Sequence, residues 1–322
     1  MKVITPASTK WLRLSLLAVV LLLVGTGIGV QRIGLAATTT TTAPVVTTTT
    51  TRVPTSVPVT TTTLYAPGVV VSAPRGPRLA SHCPLNLIAP TASKAPVNLL
   101  PRDCTVLEIG DSLGNDLGWG LARELTSYPW LHLVQEDKSS SGLSNAWFFS
   151  WPAHLATDLR QYHPNIVLVM LGGNDQQDIA VHGVDEGVGT PPWRATYRHF
   201  VTQIIDEARG AGAQVLWVGL PVMQPAYYSQ GAAMLDAQYA AAVAVAASRG
   251  AAYLPTWHLF STPAGTFRVA APVNGVVEDL RSSDGIHFSE IGENVLSTYV
   301  AQQMGLIFHL PLRVTQPALV TP

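Results

Sequence analysis

The sequence predicts an α/β fold in which a parallel sheet carries helices on both faces. Three observations predict it. From Cys104 onward, short apolar runs alternate with helix-length patterns. The strongest run, 166–171, is continuously apolar, as a strand buried on two faces should be. The glycine-containing polar segments fall directly after strands, where ligands bind in such sheets.

The elements before the fold concern location. Lys2, Lys10 and Arg13 precede an uncharged run of 17 residues, 14–30. That is the short end of a membrane span. The basic flank is expected to stay cytoplasmic, which puts the rest of the chain outside. The run exceeds the usual ~7–15-residue core of a signal peptide, which favours an anchor. The small residues Gly34, Ala36 and Ala37 keep a cleaved signal, and hence secretion, as the alternative. Residues 38–63 are nearly all Thr, Val and Pro, with neither large apolar side chains nor a period. Such a stretch cannot bury a core and reads as an extended, disordered stalk. The expected organisation is a cytoplasmic tail and membrane segment over 1–37, a stalk over 38–80, a catalytic-size domain over 81–312 and a tail over 313–322.

Two cysteines are too few for a disulfide scaffold or a Cys-rich zinc module. Outside the cytoplasm Cys83 and Cys104 can oxidise to a bridge. Two buried free thiols are the other reading. A formal net charge of −1 argues against nucleic acid as a partner.

Within the domain, strands are expected at 105–109, 131–135, 166–171, 214–219 and 252–254. Helices are expected near 115–126, 152–162, 194–210, 231–249 and 289–304. Gly110, Asp111, Ser112, Leu113 and Gly114 follow the first strand. A serine at a helix N-terminus sits among free backbone N–H groups and the positive end of the helix dipole, which favour an oxyanion. The spacing also satisfies G-x-S-x-G. A plain N-cap serine would look the same. Asp284, Gly285, Ile286 and His287 precede the last helix, and a carboxylate three residues before a histidine on a tight turn can fix its Nδ1. An unrelated surface Asp and His would share that spacing. Gly172, Gly173, Asn174 and Asp175 close the strongest strand, where Asn174 could aim an N–H at the same oxyanion or serve an ordinary turn. Gly142, after the second strand, could present its backbone N–H or belong to a simple loop. Asp111 and Asp175 are expected to brace loops. The 176–193 loop is expected to wall the pocket. Trp147, Phe148, Phe149 and Trp151 could line an acyl or sugar site or pack in the core.

Together these segments resemble the SGNH (GDSL) hydrolase superfamily. Gly110 to Leu113 match its first block, Gly142 the second, Gly172 to Asp175 the third, and Asp284 to His287 the fifth, over about residues 100–310. The segments around 143–152 and 217–221 are similar to a membrane-anchored bacterial envelope branch of unsettled function. The resemblance implies a three-layer α/β/α sandwich with a five-stranded parallel sheet, flavodoxin-like in plan. It implies Ser112 as nucleophile, His287 as base and Asp284 as its orienting carboxylate. The oxyanion hole would be the backbone N–H groups of Ser112 and Gly142 with the Asn174 side chain. No metal or cofactor is implied. The expected activity is an extracytoplasmic serine esterase acting on, or transferring, an acyl group, with O-acetyl on an envelope glycan as the first substrate. A lipid ester or thioester, or a non-catalytic binding module of the same fold, are the alternatives.

Overall fold

A computed structural model describes Cys83 and residues 103–315. The membrane segment, the stalk and the end of the tail lie outside the described residues. Among the described residues, no helix is long and apolar enough to cross a membrane.

The main sheet holds five parallel strands: β1 (Cys104–Gly110), β2 (Leu131–Asp137), β3 (Ile166–Met170), β6 (Gln214–Val218) and β7 (Ala251–Leu254). Their order across the sheet is β2-β1-β3-β6-β7. Five helices connect and follow them: α1 (Ser112–Glu124), α2 (Trp151–Tyr162), α3 (Pro191–Gly210), α4 (Ala226–Ala246) and α5 (Glu290–Phe308). The first crossover runs toward the β2 edge and the later ones run the other way. Right-handed crossovers therefore place α1 on one face and α2, α3 and α4 on the other. The packing agrees: α1 lies against α5, and α3 lies against α2 and α4. The expected α/β sandwich with a five-stranded parallel sheet is what forms.

β3 is buried along its whole length, as its uninterrupted apolar run requires. The chain reverses its direction of travel across the sheet between β1 and β3. A crevice opens at the carboxyl ends of those two strands. Ser112 follows β1, and Gly172 to Asp175 follow β3.

The helix starts differ from the sequence expectation, with local causes. α1 begins at Ser112, not near 115, because the Asp111 side chain accepts from Leu113 N at 2.9 Å and caps it. Ser112 is thus the first helical residue and not the N-cap. α3 begins at Pro191, whose fixed φ suits the first turn. α4 begins at Ala226, five residues before the alanine-rich stretch. Two antiparallel hairpins add to the plan, β4 (Ile179–Val181) with β5 (Val184–Glu186), and β8 (Ala270–Val273) with β9 (Val276–Asp279). Residues 313–315 stay against the domain, with Arg313 N donating to Tyr128 OH at 2.9 Å.

Cys83 and Cys104 are joined by a disulfide, 21 positions apart in sequence. Closing a loop of that size stabilises the fold by about 3 kcal/mol, mainly by restricting the unfolded chain. For a domain of this size that is a melting shift of about 6–12 °C. Cys83→Ala should therefore lower Tm by that amount in calorimetry, and dithiothreitol should lower the wild-type Tm similarly. A variant melting with the wild type would show that the bridge contributes nothing.

Candidate active site

The crevice gathers the polar segments through a few buried carboxylates. Asp111 is fully buried. Besides capping α1, its Oδ2 accepts from Gly172 N at 2.9 Å and Gly173 N at 2.7 Å. It therefore ties the turn after β1 to the turn after β3. Asp175 does the same for the loop after β2. It accepts from Leu143 N, from Ser144 N and Oγ, and from Tyr197 OH at 2.7 Å. Both aspartates brace loops. Gly142 must be glycine, because a Cβ there would stand 2.1 Å from Asp175 Oδ1. Gly172, at φ +132°, has Tyr239 OH where its side chain would be.

Ser112, His287 and Asp284 meet at this rim. His287 Nε2 lies 2.8 Å from Ser112 Oγ across 175 positions of sequence. His287 Nδ1 lies 2.6 Å from Asp284 Oδ2. The other Asp284 oxygen accepts from Ile286 N at 2.8 Å and His287 N at 3.0 Å, which shapes the turn. Gly285 permits it at φ +68°, with its would-be Cβ 2.4 Å from Gln224 Cβ. Partial burial would raise the Asp284 carboxyl. The bonds from the imidazole and the two N–H groups outweigh that and hold it down at about 2.

Asn174 Nδ2 donates to Ser141 O at 3.0 Å, which sets its amide beside the peptide linking Ser141 to Gly142. That bond uses one of its two N–H groups. Among the described residues, the backbone N–H groups of Ser112 and Gly142 have no protein acceptor.

Two positioning residues escaped the sequence reading. Asp116, one turn beyond Ser112 on α1, accepts from Phe288 N at 3.0 Å and pins the histidine loop to the serine helix. Arg281 is buried among the Phe260, Phe267 and Phe288 rings and donates to Val222 O at 2.6 Å and to Ile286 O. Burial pulls its guanidinium down to about 10, still charged at neutral pH. Neither lies in a local pattern, since each acts on segments distant in sequence or through backbone atoms. Of the four aromatics, Trp151 is core, donating Nε1 to Ser141 Oγ, and Phe149 stacks on His154. Trp147 and Phe148 line a groove instead. Gln176 and Gln177, from the loop expected to wall the pocket, line the same groove.

Under α1 lies a buried acid pair. Glu108 on β1 is fully buried, and among the described residues neither of its oxygens nor Asp137 Oδ1 meets a donor. Gly114 and Gly118 leave them room, since a Cβ at either would stand 3.0 Å from a Glu108 oxygen. Burial, then the Asp137 charge, pushes Glu108 well above the carboxylate range. Burial likewise pushes Asp111, Asp116 and Asp137 up to about 6. These groups bind protons more tightly folded than unfolded. Their effect is greatest below the unfolded value near 4 and is lost as pH rises through about 6. Asp284 has the opposite sign, with its contribution lost only as pH falls from about 4 toward 2. Tm should therefore be higher at about pH 5 than at about pH 7.5. Glu108→Gln should raise the Tm at the higher pH and flatten the slope. A Tm that climbs from the lower pH to the higher would sink this expectation.

The chain matches, over residues 105–303, the family described as "Protein of unknown function (DUF459)". No curated protein matches it. Solved structures are similar to it over the described domain. One is the psychrotrophic esterase EstA from Pseudoalteromonas sp., 18% identical, covering 63% of this chain and 99% of that one, with a TM-score of 0.43. Another is a carbohydrate esterase of family 3 from Talaromyces cellulolyticus, 15% identical, covering 64% and 98%, with a TM-score of 0.43. TesA is 22% identical over 63% and 99%, with a TM-score of 0.42. With the family match spanning well over half of its length, the chain belongs to the DUF459 family.

Proposed function

We propose that this protein is a serine ester hydrolase using Ser112, His287 and Asp284. The observation that carries this is the 2.8 Å approach of His287 Nε2 to Ser112 Oγ at a helix N-terminus. Ser112 Oγ attacks the ester carbonyl while His287 Nε2 takes its proton. Asp284 holds Nδ1–H, keeps the ring turned and stabilises the imidazolium. The oxyanion is held by the N–H groups of Ser112 and Gly142 and by the remaining Asn174 N–H. The C–O bond to the alcohol breaks, and the alcohol leaves with the proton from His287. Water then attacks the acyl-enzyme with His287 as base, the acid departs and Ser112 regains its proton. No step calls for a metal.

The acyl group is read as O-acetyl on a cell-envelope glycan, with the domain outside the membrane and tethered by 14–30 and the stalk. That part rests on the sequence pattern of the N-terminus.

The purified protein should hydrolyse a short aryl ester and be labelled by a fluorophosphonate, which only an activated serine accepts. Failure of both would end the reading. Asn174→Ala should cost about 10²–10³ in kcat if the amide holds the oxyanion. A loss in KM alone would reassign it to substrate binding.

A further inference from the structure

A groove of about 460 Å³ opens beside the catalytic rim. Its size falls among small-molecule sites, about 300–1,000 Å³. It begins at Gly173, which donates to the Asp111 that precedes Ser112, and at Asn174. Two aromatic pairs wall it: Trp147 with Phe148, and Tyr227 with Tyr228. No residue lining it carries a charge.

The walls are exposed and stand on hydrogen-bonded segments. Trp147 is 84% exposed and Tyr227 58%. Trp147 and Phe148 ride on a turn closed by Phe148 N donating to Asn145 O at 2.8 Å, directly after the segment that Asp175 clamps. Lys138 Nζ stands 5.7 Å from the Phe148 ring centre, so the Trp147 ring is the more open platform. Across the groove, Tyr227 OH donates to Gln176 O at 2.7 Å and Gln176 Nε2 to Tyr228 O at 3.3 Å. Between the walls lie the amides of Asn174, Gln176 and Gln177, each with one N–H donated to a backbone carbonyl and one left over.

We infer that this groove binds the sugar rings of a neutral oligosaccharide, placing its ester at Ser112. The claim rests on the ester-hydrolase reading for the place of the scissile bond. The negative faces of aromatic rings attract the polarised C–H faces of a pyranose, while amides pair with its hydroxyls. An acyl chain would cover the amides without bonding them, at a desolvation cost. A nucleic acid would need cations for its phosphates, and the lining has none.

The test uses the full chain. Ser112→Ala protein, which binds without turnover, is titrated calorimetrically with partially O-acetylated oligosaccharides of β-1,4-linked N-acetylglucosamine and of β-1,4-linked xylose. Adding Trp147→Ala should weaken binding of the oligosaccharide held by about tenfold or more, and Trp147→Phe should recover most of it. In the active protein, the kcat/KM ratio of that oligosaccharide to phenyl acetate should fall by a similar factor. Binding of neither oligosaccharide overturns the inference, as does a ratio and affinity unchanged to within about twofold. A loss confined to long-chain acyl esters also overturns it and makes the groove an acyl channel. Trp147-dependent oligosaccharide binding by a protein that hydrolyses no ester would keep the groove and remove the esterase reading.

Discussion

Ser112→Ala should lower ester hydrolysis by about 10⁴-fold or more and abolish fluorophosphonate labelling. The oxygen removed is the one that His287 Nε2 approaches, and no second hydroxyl is bonded to that nitrogen among the described residues. The fold should survive the change. Among the described residues the Ser112 side chain makes no other bond, and the cap of α1 belongs to Asp111. Residual turnover should come from the oxyanion donors and bound substrate alone. The measurement is kcat/KM on an aryl acetate with a melting curve beside it. Wild-type turnover in the variant would remove Ser112 from the chemistry, and loss of turnover with a collapsed melt would call for Ser112→Cys instead.

Asp284→Asn should cost about 10⁴-fold in kcat, more than any other change that keeps the side chain's shape. The asparagine oxygen can still accept from Ile286 N and His287 N, so the turn is preserved. Its amide then donates to His287 Nδ1, which leaves the proton on Nε2 and disables the base. The wild-type carboxyl is held at about 2, so it stays charged wherever the protein is assayed. Mild acid should therefore not imitate the variant through this residue. A loss below about tenfold, with the melting curve unchanged, would show that the orienting role lies elsewhere.

What was legible in the sequence follows from how local each cause is. β3 announced itself because five consecutive residues are buried on two faces. The turns after β1 and β3 were legible because glycine and short polar side chains are needed wherever a strand ends at a crevice. The two hairpins were not, since three- and four-residue strands with exposed faces leave no alternation to read. The start of α1 was ambiguous because Asp111 and Ser112 are both good capping residues, and only the accepted bond from Leu113 decides between them. Asp116 and Arg281 were hidden for another reason. One bonds a backbone N–H 172 positions away, the other a carbonyl 59 positions away. Glu108 was masked by the apolar run that surrounds it.

The bridge between Cys83 and Cys104 has a mechanical consequence. Tension drawn along the chain from its N-terminal side skips the intervening residues and enters at the first residue of β1. That strand is flanked by β2 and β3, so the load meets hydrogen bonds on both sides acting together in shear. The pull arrives at the end of the strand opposite Ser112. A pull applied at Cys83 would thus load the disulfide and the β1 ladder at the end away from the serine.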